Sequence, residues 1–213
     1  MLILAPVLFD LDGTLIESAR GILTSMRAAF VELGCEPVCA LEPSLIGPPL
    51  LPTLRKLLGI RSDGPSVNTL ADAFKAHYDS EGYRESVVIE PMSQLLDSLA
   101  AQGRDLYIVT NKRITPTLLI LEHIGWRQRF VGIYSLDSLT PVAINKTQVL
   151  NHVIAAHRLP ADRCWYVGDR DEDAEAAAGA GLHCLRVPWG YGVGTTTTPY
   201  ELFEFQQKLL QEP

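Results

Sequence analysis

The sequence has little of several features that would point to other classes of protein. It has no excess of basic charge, since 18 Lys and Arg face 25 Asp and Glu for a net charge of -7, which makes nucleic acid a poor candidate partner. Its four cysteines form no Cys-x-x-Cys pair, so neither a zinc site nor a disulfide framework is indicated. No apolar run approaches the length that crosses a bilayer, and we expect no membrane partner.

What the sequence does have is the composition of an ordinary globular protein. Hydrophobic residues make up 47% and charged residues 20% of its 213 positions. Residues 1–6 are apolar but lack the basic residues that open a signal peptide, and they run directly into an apolar segment typical of a strand. We therefore expect a cytoplasmic protein, and the sequence gives no indication of its oligomeric state.

Short apolar runs that end in small or polar residues recur along the chain and alternate with helical patterns. This alternation predicts an α/β fold, namely a Rossmann-like core in which a parallel sheet is the middle of three layers and helices cover both of its faces. A final helical pattern follows at Tyr200–Leu210. The five predicted strands are Val7–Phe9, Leu106–Val109, Phe130–Ser135, Trp165–Val167 and Cys184–Val187.

One connection is far longer than a βαβ crossover needs. The stretch from Ile16 to Asp105 separates the first predicted strand from the second, and it contains three helical patterns at Ala19–Leu33, Leu51–Leu58 and Val67–Tyr78. We therefore predict two domains. Residues 1–17 and 87–213 form the core, and residues 18–86 form an inserted helical domain.

Two carboxylates stand where the first apolar run ends and a glycine turn begins. Asp10 and Asp12 are two residues apart, so in an extended backbone their side chains point to the same side, beyond the end of the strand. Open α/β sheets bind ligands at that edge. Alone, this pattern also fits a solvated turn.

Three further patterns follow in order along the chain. Thr110 and Asn111 close the second predicted strand, and Lys146 begins a later helical pattern. After the fourth strand, the segment 169–173 contains four acids in five residues. A divalent cation such as Mg²⁺ relieves the repulsion within such a cluster.

Together these motifs resemble the haloacid dehalogenase-like hydrolases, a superfamily made up mostly of magnesium-dependent phosphatases. The Asp-x-Asp-Gly-Thr segment that starts at Asp10 is the family's opening motif, and the glycines and aromatics at 176–181 and 189–192 resemble its phosphoglycolate phosphatase-like branch. The resemblance implies that the inserted helices form a cap over the active site.

The resemblance also assigns roles to the candidate residues. Asp10 is the nucleophile that forms an aspartyl-phosphate, and Asp12 is the acid and base that serves the leaving group and then the attacking water. Lys146 pairs with Asp10 and the phosphate. Thr110 and the Asn111 amide bind phosphate oxygens, although both residues are equally ordinary as helix caps. The Mg²⁺ ligands that it implies are Asp10, the Asp12 backbone carbonyl and Asp169, with Asp173 in support.

These roles predict a Mg²⁺-dependent hydrolase of a small phosphorylated metabolite, with phosphoglycolate as one candidate substrate. A pyrophosphatase, a phosphosugar mutase and a non-catalytic binding protein are the alternatives, and the presence of Asp12 argues against a dehalogenase. Mutases of this superfamily have a histidine near the start of the insertion, where this chain has Glu17, Ser18, Ala19 and Arg20. We predict that Gly47 and Arg20 contribute to substrate specificity.

Overall fold

The computed structural model describes residues 5–59, 64–192 and 199–210, and for 199–203 it describes the backbone alone. The predicted parallel sheet is confirmed. The strands that follow β1 (Val7–Phe9) in the core are β4 (Leu106–Thr110), β5 (Gly132–Ser135), β6 (Trp165–Gly168) and β7 (His183–Arg186). They hydrogen-bond in the order β5-β4-β1-β6-β7, and each pair is parallel.

The sheet separates two hydrophobic clusters, because neighbouring residues of a strand face opposite sides. Val7 and Phe9 of β1 pack on one side with helices α4 (Glu90–Ala101), α5 (Ile114–His123) and α8 (Pro199–Leu210). Leu8 packs on the other side with α6 (Lys146–His157) and α7 (Asp171–Gly179). The result is the three-layer α/β core that the alternating pattern predicts. No described helix is both long enough and apolar enough to span a bilayer.

The long connection between β1 and β4 contains three helices, α1 (Ala19–Glu32), α2 (Leu50–Leu58) and α3 (Val67–Ser80). They surround a hydrophobic cluster of their own, which includes Phe30, Leu57 and Phe74. A short antiparallel ribbon joins the two crossings of the chain, since β2 (Ile16–Glu17) pairs with β3 (Val87–Val88). We call residues 18–86 the helical segment. Its standing as a separate domain with these bounds stays a prediction.

Two-residue strands are too short to show an alternating pattern, which is why the sequence did not predict the ribbon. The closing helix begins at Pro199, one residue before the predicted start. The glycines and threonines from Gly190 to Pro199 predict a loop before this helix, and residues 193–198 of that loop lie outside the described residues.

Candidate active site

The strand order reverses at β1, the middle strand. The chain first fills the sheet on one side with β4 and β5 and then on the other with β6 and β7. In open α/β sheets this switch creates a crevice at the carboxyl ends of the strands. Most of the candidate side chains therefore lie close together, because they follow β1, follow β6 or end β4.

Lys146 joins two of the predicted carboxylates. Its Nζ atom donates a hydrogen bond to Asp10 Oδ1 at 3.1 Å and to Asp173 Oδ1 at 2.5 Å. Asn145 caps the helix that begins at Lys146 by accepting a hydrogen bond from the Gln148 amide, and this cap fixes where the lysine emerges. All three charged side chains of the group are at most 6% exposed.

Burial has opposite effects on the two partners of the Lys146–Asp10 pair. Loss of solvent raises the pKa of Asp10 from 3.8 to about 7, and Asp173, Asp169 and Asp12 add to the rise while Lys146 opposes it. Burial lowers the pKa of Lys146, but the attraction of Asp10 and its other partners outweighs this, and the net shift is well upward. The lysine therefore stays protonated, and the site carries more carboxylates than one lysine can neutralise.

Asp169 is fully buried and has one oxygen held and the other unpaired. Its Oδ2 atom accepts hydrogen bonds from the amides of Tyr191 at 2.7 Å and Gly192 at 3.2 Å. Its Oδ1 atom has no hydrogen-bond partner among the described residues. Oxygens of Asp10, Asp169 and Asp173 lie within 4.8 Å of one another, an arrangement that suits a hard divalent cation.

Asp173 differs from the other two acids, because both of its oxygens are already engaged. Oδ1 accepts from Lys146, and Oδ2 accepts from the amides of Asp169 at 3.1 Å and Arg170 at 3.0 Å. A Cβ atom at Gly168 would lie 2.4 Å from the Asp173 carboxyl carbon, so the close approach of this side chain requires glycine there. Asp173 thus holds Lys146 and the 169–170 loop in place.

The Asp12 carboxylate lies outside this cluster and has separate partners. Its Oδ1 atom accepts a hydrogen bond from Ser18 Oγ at 2.5 Å, and the Lys112 ammonium contacts both carboxylate oxygens. Lys112 is the residue that the sequence analysis missed. Its position directly after Thr110 and Asn111, at a strand end that was already identified, was the available signal.

Thr110 and Asn111 lie at the end of β4, where they were expected. Thr110 is buried, and its Oγ1 atom accepts a hydrogen bond from the Lys112 amide at 3.2 Å. The Asn111 side chain donates to the Gly47 carbonyl at 3.2 Å and to Glu172 Oε1 at 3.1 Å. Asn111 therefore links the core to the helical segment, and phosphate binding by either residue stays a prediction.

The structure brings one of the two predicted specificity residues to the site. Gly47 has a φ of +111°, and a Cβ atom there would lie 2.4 Å from Nε of Arg170, whose guanidinium donates to the Ser44 carbonyl at 3.3 Å. Arg20, in contrast, has an 84% exposed side chain that pairs with Glu85. The side chain of Arg20 is directed away from the site because its position is on the outer face of α1.

The segment 189–192 ties the core loops to the start of the helical segment. The Tyr191 hydroxyl accepts hydrogen bonds from the amides of Ser18 at 2.8 Å and Ala19 at 3.0 Å, and it donates to Glu17 at 2.7 Å. The same residue donates its own amide to Asp169. One tyrosine thus contacts both the entrance to α1 and the Asp169 carboxylate.

The sheet is Rossmann-like, and Asp10, Lys146 and Asp169 lie at the point where its strand order reverses. This combination of fold and site indicates the class of protein. The model of the haloacid dehalogenase-like hydrolase family matches residues 7–187, and the chain belongs to this family.

The chain is also similar to particular proteins. It is 36% identical to tyrosine-protein kinase PtkA of Mycobacterium tuberculosis over 87% of its length, but spans only 62% of that relative. It is 30% identical to a 5'-nucleotidase of Pseudomonas aeruginosa, over 87% of this chain and 83% of that relative. It is 31% identical to a phosphoglycolate phosphatase of Xanthomonas campestris, over 88% of this chain and 85% of that relative. A solved structure described as a predicted phosphatase from Clostridium acetobutylicum superposes with a TM-score of 0.79 at 25% identity, covering 98% of this chain and 99% of the other.

Proposed function

We propose that this protein is a Mg²⁺-dependent phosphomonoester hydrolase that acts on a small phosphorylated metabolite through an aspartyl-phosphate on Asp10. The observation that carries the proposal is the buried group of Asp10, Asp169 and Asp173 around a single lysine. The phosphatase names of several relatives support it.

The residues present fit a divalent cation. Asp169 offers a buried oxygen that has no hydrogen-bond partner within the described parts of the chain, and the surplus of carboxylates over lysine is the charge that a cation would balance. Asp10, Asp169 and the Asp12 backbone carbonyl would hold it, while Asp173 acts through Lys146 and the 169–170 loop. When bound, Mg²⁺ supplies positive charge that lets an anionic carboxylate approach an anionic phosphate.

The proposed chemistry proceeds in two displacements. A carboxylate oxygen of Asp10 attacks phosphorus, and the bond from phosphorus to the leaving oxygen breaks as Asp12 passes a proton to that oxygen. Water then attacks phosphorus and gives a proton to Asp12, which restores its acid form. This attack breaks the bond between phosphorus and Asp10 and releases inorganic phosphate. Lys146 stabilises charge on the transferred group in both steps.

The helical segment is proposed to act as a cap over this site. Three consecutive residues after β4 contact it: Asn111 binds the Gly47 carbonyl, Lys112 lies over the Tyr78 ring, and Arg113 pairs with Asp79. A closed segment separates the site from bulk water while Asp10 attacks the phosphate. A mutase is less well supported than a hydrolase, because Ser18 contacts Asp12 near the start of the insertion, where mutases place a histidine.

The test is release of inorganic phosphate from a panel of phosphomonoesters with Mg²⁺ and, in parallel, with excess chelator. We expect release that the chelator abolishes, and a phosphorylated protein trapped by acid quench and located at Asp10 by mass spectrometry. Asp10→Asn removes the nucleophile, whereas Asp171→Asn, at the exposed first residue of α7, is the matched control. Turnover retained by Asp10→Asn would refute the covalent route.

A further inference from the structure

A cavity adjoins Asp12 on the side away from the carboxylate cluster. Asp12 lines it, whereas Asp10 and Asp169 do not. On the proposed function, Asp12 serves the leaving oxygen, so the group attached to that oxygen lies on the Asp12 side of the phosphate. This cavity is therefore the space available to the leaving group.

The cavity wall is mainly apolar where the helical segment covers it. Ile22 and Met26 come from α1, Phe74 and Tyr78 from α3, and Leu45 from the loop before α2. These five residues are also buried members of the hydrophobic cluster of that segment. A substrate group that enters the cavity therefore contacts hydrocarbon over much of its surface.

The charged side chains among the described lining residues are already paired. Lys112 contacts both carboxylate oxygens of Asp12. Arg113 forms a two-pronged ion pair with Asp79, at 2.9 and 2.6 Å. A carboxylate on the substrate would have to break the buried Lys112–Asp12 pair or the half-buried Arg113–Asp79 pair, or remain unpaired against hydrocarbon. Each of these is costly.

We propose that this cavity selects substrates whose leaving group is uncharged and apolar, an aryl or alkyl alcohol, over substrates whose leaving group carries a carboxylate. The proposal rests on the proposed function and narrows it. It disfavours phosphoglycolate, whose leaving group carries a carboxylate. Each methylene that the cavity buries strengthens binding about fourfold.

The first test measures binding, so that it does not depend on turnover. Benzylphosphonate and phosphonoacetate share a phosphonate that cannot be hydrolysed from carbon, and they differ in an apolar ring against a carboxylate. With Mg²⁺ present, titration calorimetry is expected to give a dissociation constant at least tenfold lower for benzylphosphonate. Equal or tighter binding of phosphonoacetate would overturn the proposal.

A pair of charge-adding variants locates the selection in this cavity. Met26→Lys places a cation of similar length in the wall, and Thr24→Lys adds the same charge on the exposed face of the same helix. We expect Met26→Lys to shift the preference at least tenfold toward phosphonoacetate and Thr24→Lys to leave it unchanged. An equal response of the two variants would contradict the assignment. If Met26→Lys does not fold, the wild-type comparison decides.

Turnover separates this proposal from the proposed function. Phosphoglycolate and glycolamide phosphate have nearly the same shape, but only the first carries a carboxylate on the leaving group. Faster hydrolysis of the amide supports both proposals, and faster hydrolysis of phosphoglycolate supports a phosphatase while overturning the selection. Tight benzylphosphonate binding without phosphate release from any ester would contradict the hydrolase alone.

Discussion

The Lys112 ammonium lies 3.1 Å from Oδ1 and 3.2 Å from Oδ2 of Asp12, and both side chains are buried. The same nitrogen lies 4.6 Å from the centroid of the Tyr78 ring, which belongs to the helical segment. Burial lowers the pKa of Lys112, but Asp12 and Tyr78 raise it by more, so the net shift is upward. The ion pair is therefore part of the contact between the core and the helices above it.

Lys112→Met leaves the Asp12 carboxylate buried with only Ser18 as its partner among the described side chains. We expect the free energy of unfolding to fall by about 3 kcal/mol, the usual cost of leaving one member of a buried ion pair without the other. Chemical denaturation of the metal-free protein measures this. Lys75→Met is the control, since Lys75 forms an exposed pair with Asp72 and should cost less than about 1 kcal/mol. Equal losses in the two variants would contradict this account of the pair.

The raised pKa of Asp10 predicts how the stability of the metal-free protein depends on pH. The pKa is 3.8 for an ordinary aspartate and about 7 in the folded protein, so over this range the unfolded chain releases a proton that the folded protein keeps. The contribution of Asp10 to stability is therefore present below pH 3.8 and is lost as the pH rises to about 7. We expect thermal melting in excess chelator to show this loss.

Asp10→Asn isolates that contribution, because asparagine has the same shape and no charge. The variant should melt higher than the wild type at pH 8 by the equivalent of about 4 kcal/mol, and the difference should shrink toward pH 4. Asp171→Asn, at an 87% exposed position, should leave the pH profile as in the wild type. A lower melting temperature for Asp10→Asn at pH 8 would mean that its attraction to Lys146 outweighs its burial.

Mg²⁺ should stabilise the protein through Asp169. At a concentration 100 times its dissociation constant, a ligand of the folded state adds about 2.7 kcal/mol, which for a chain of this size raises the melting temperature by roughly 5 to 10 °C. Asp169→Asn removes the charge of the unpaired oxygen and should abolish most of the shift. Asp171→Asn should retain it, and a full shift in Asp169→Asn would place the cation elsewhere.

Gly47→Ala tests the contact between the helical segment and Arg170. Gly34→Ala is the matched control, because Gly34 also has a positive φ, +63°, but a Cβ atom there would meet nothing within 4 Å. Both variants should lose about 1 to 2 kcal/mol of stability from backbone strain. Only Gly47→Ala should also lower kcat/KM for phosphomonoester hydrolysis, by about tenfold, since its Cβ atom displaces Arg170. Equal kinetics in the two variants would show that this contact does not matter for turnover.

The site residues that stand at the ends of strands could be predicted from the sequence. Asp10, Thr110 and Asp169 each stand at the end of an apolar run, and parallel strands bring such positions to one edge of the sheet. These strand-end predictions need only local patterns and one topological rule. Lys146 begins a helix between two predicted strands, but it was assigned to the site through the resemblance to the haloacid dehalogenase-like hydrolases.

Contacts between side chains that are far apart in the sequence could not be predicted in this way. The Lys112–Asp12 pair joins residues 100 positions apart, and a lysine in a loop normally remains in solvent. Arg20 is the opposite case, a residue that was predicted at the site but lies away from it. Its sequence position near the start of the insertion suggested the site, but the direction of its side chain on α1 brings it to Glu85 instead.

The two hydrogen bonds that hold the Asp169 carboxylate affect the stage of synthesis at which this protein can become active. The amides that hold the Asp169 carboxylate belong to Tyr191 and Gly192, whereas the four aspartates are complete once residue 173 has been made. A nascent chain that ends shortly after residue 173 thus contains every acid of the site, with Asp169 still unrestrained. On the proposed function, we expect catalytic competence to arise only after residue 192 has emerged from the ribosome.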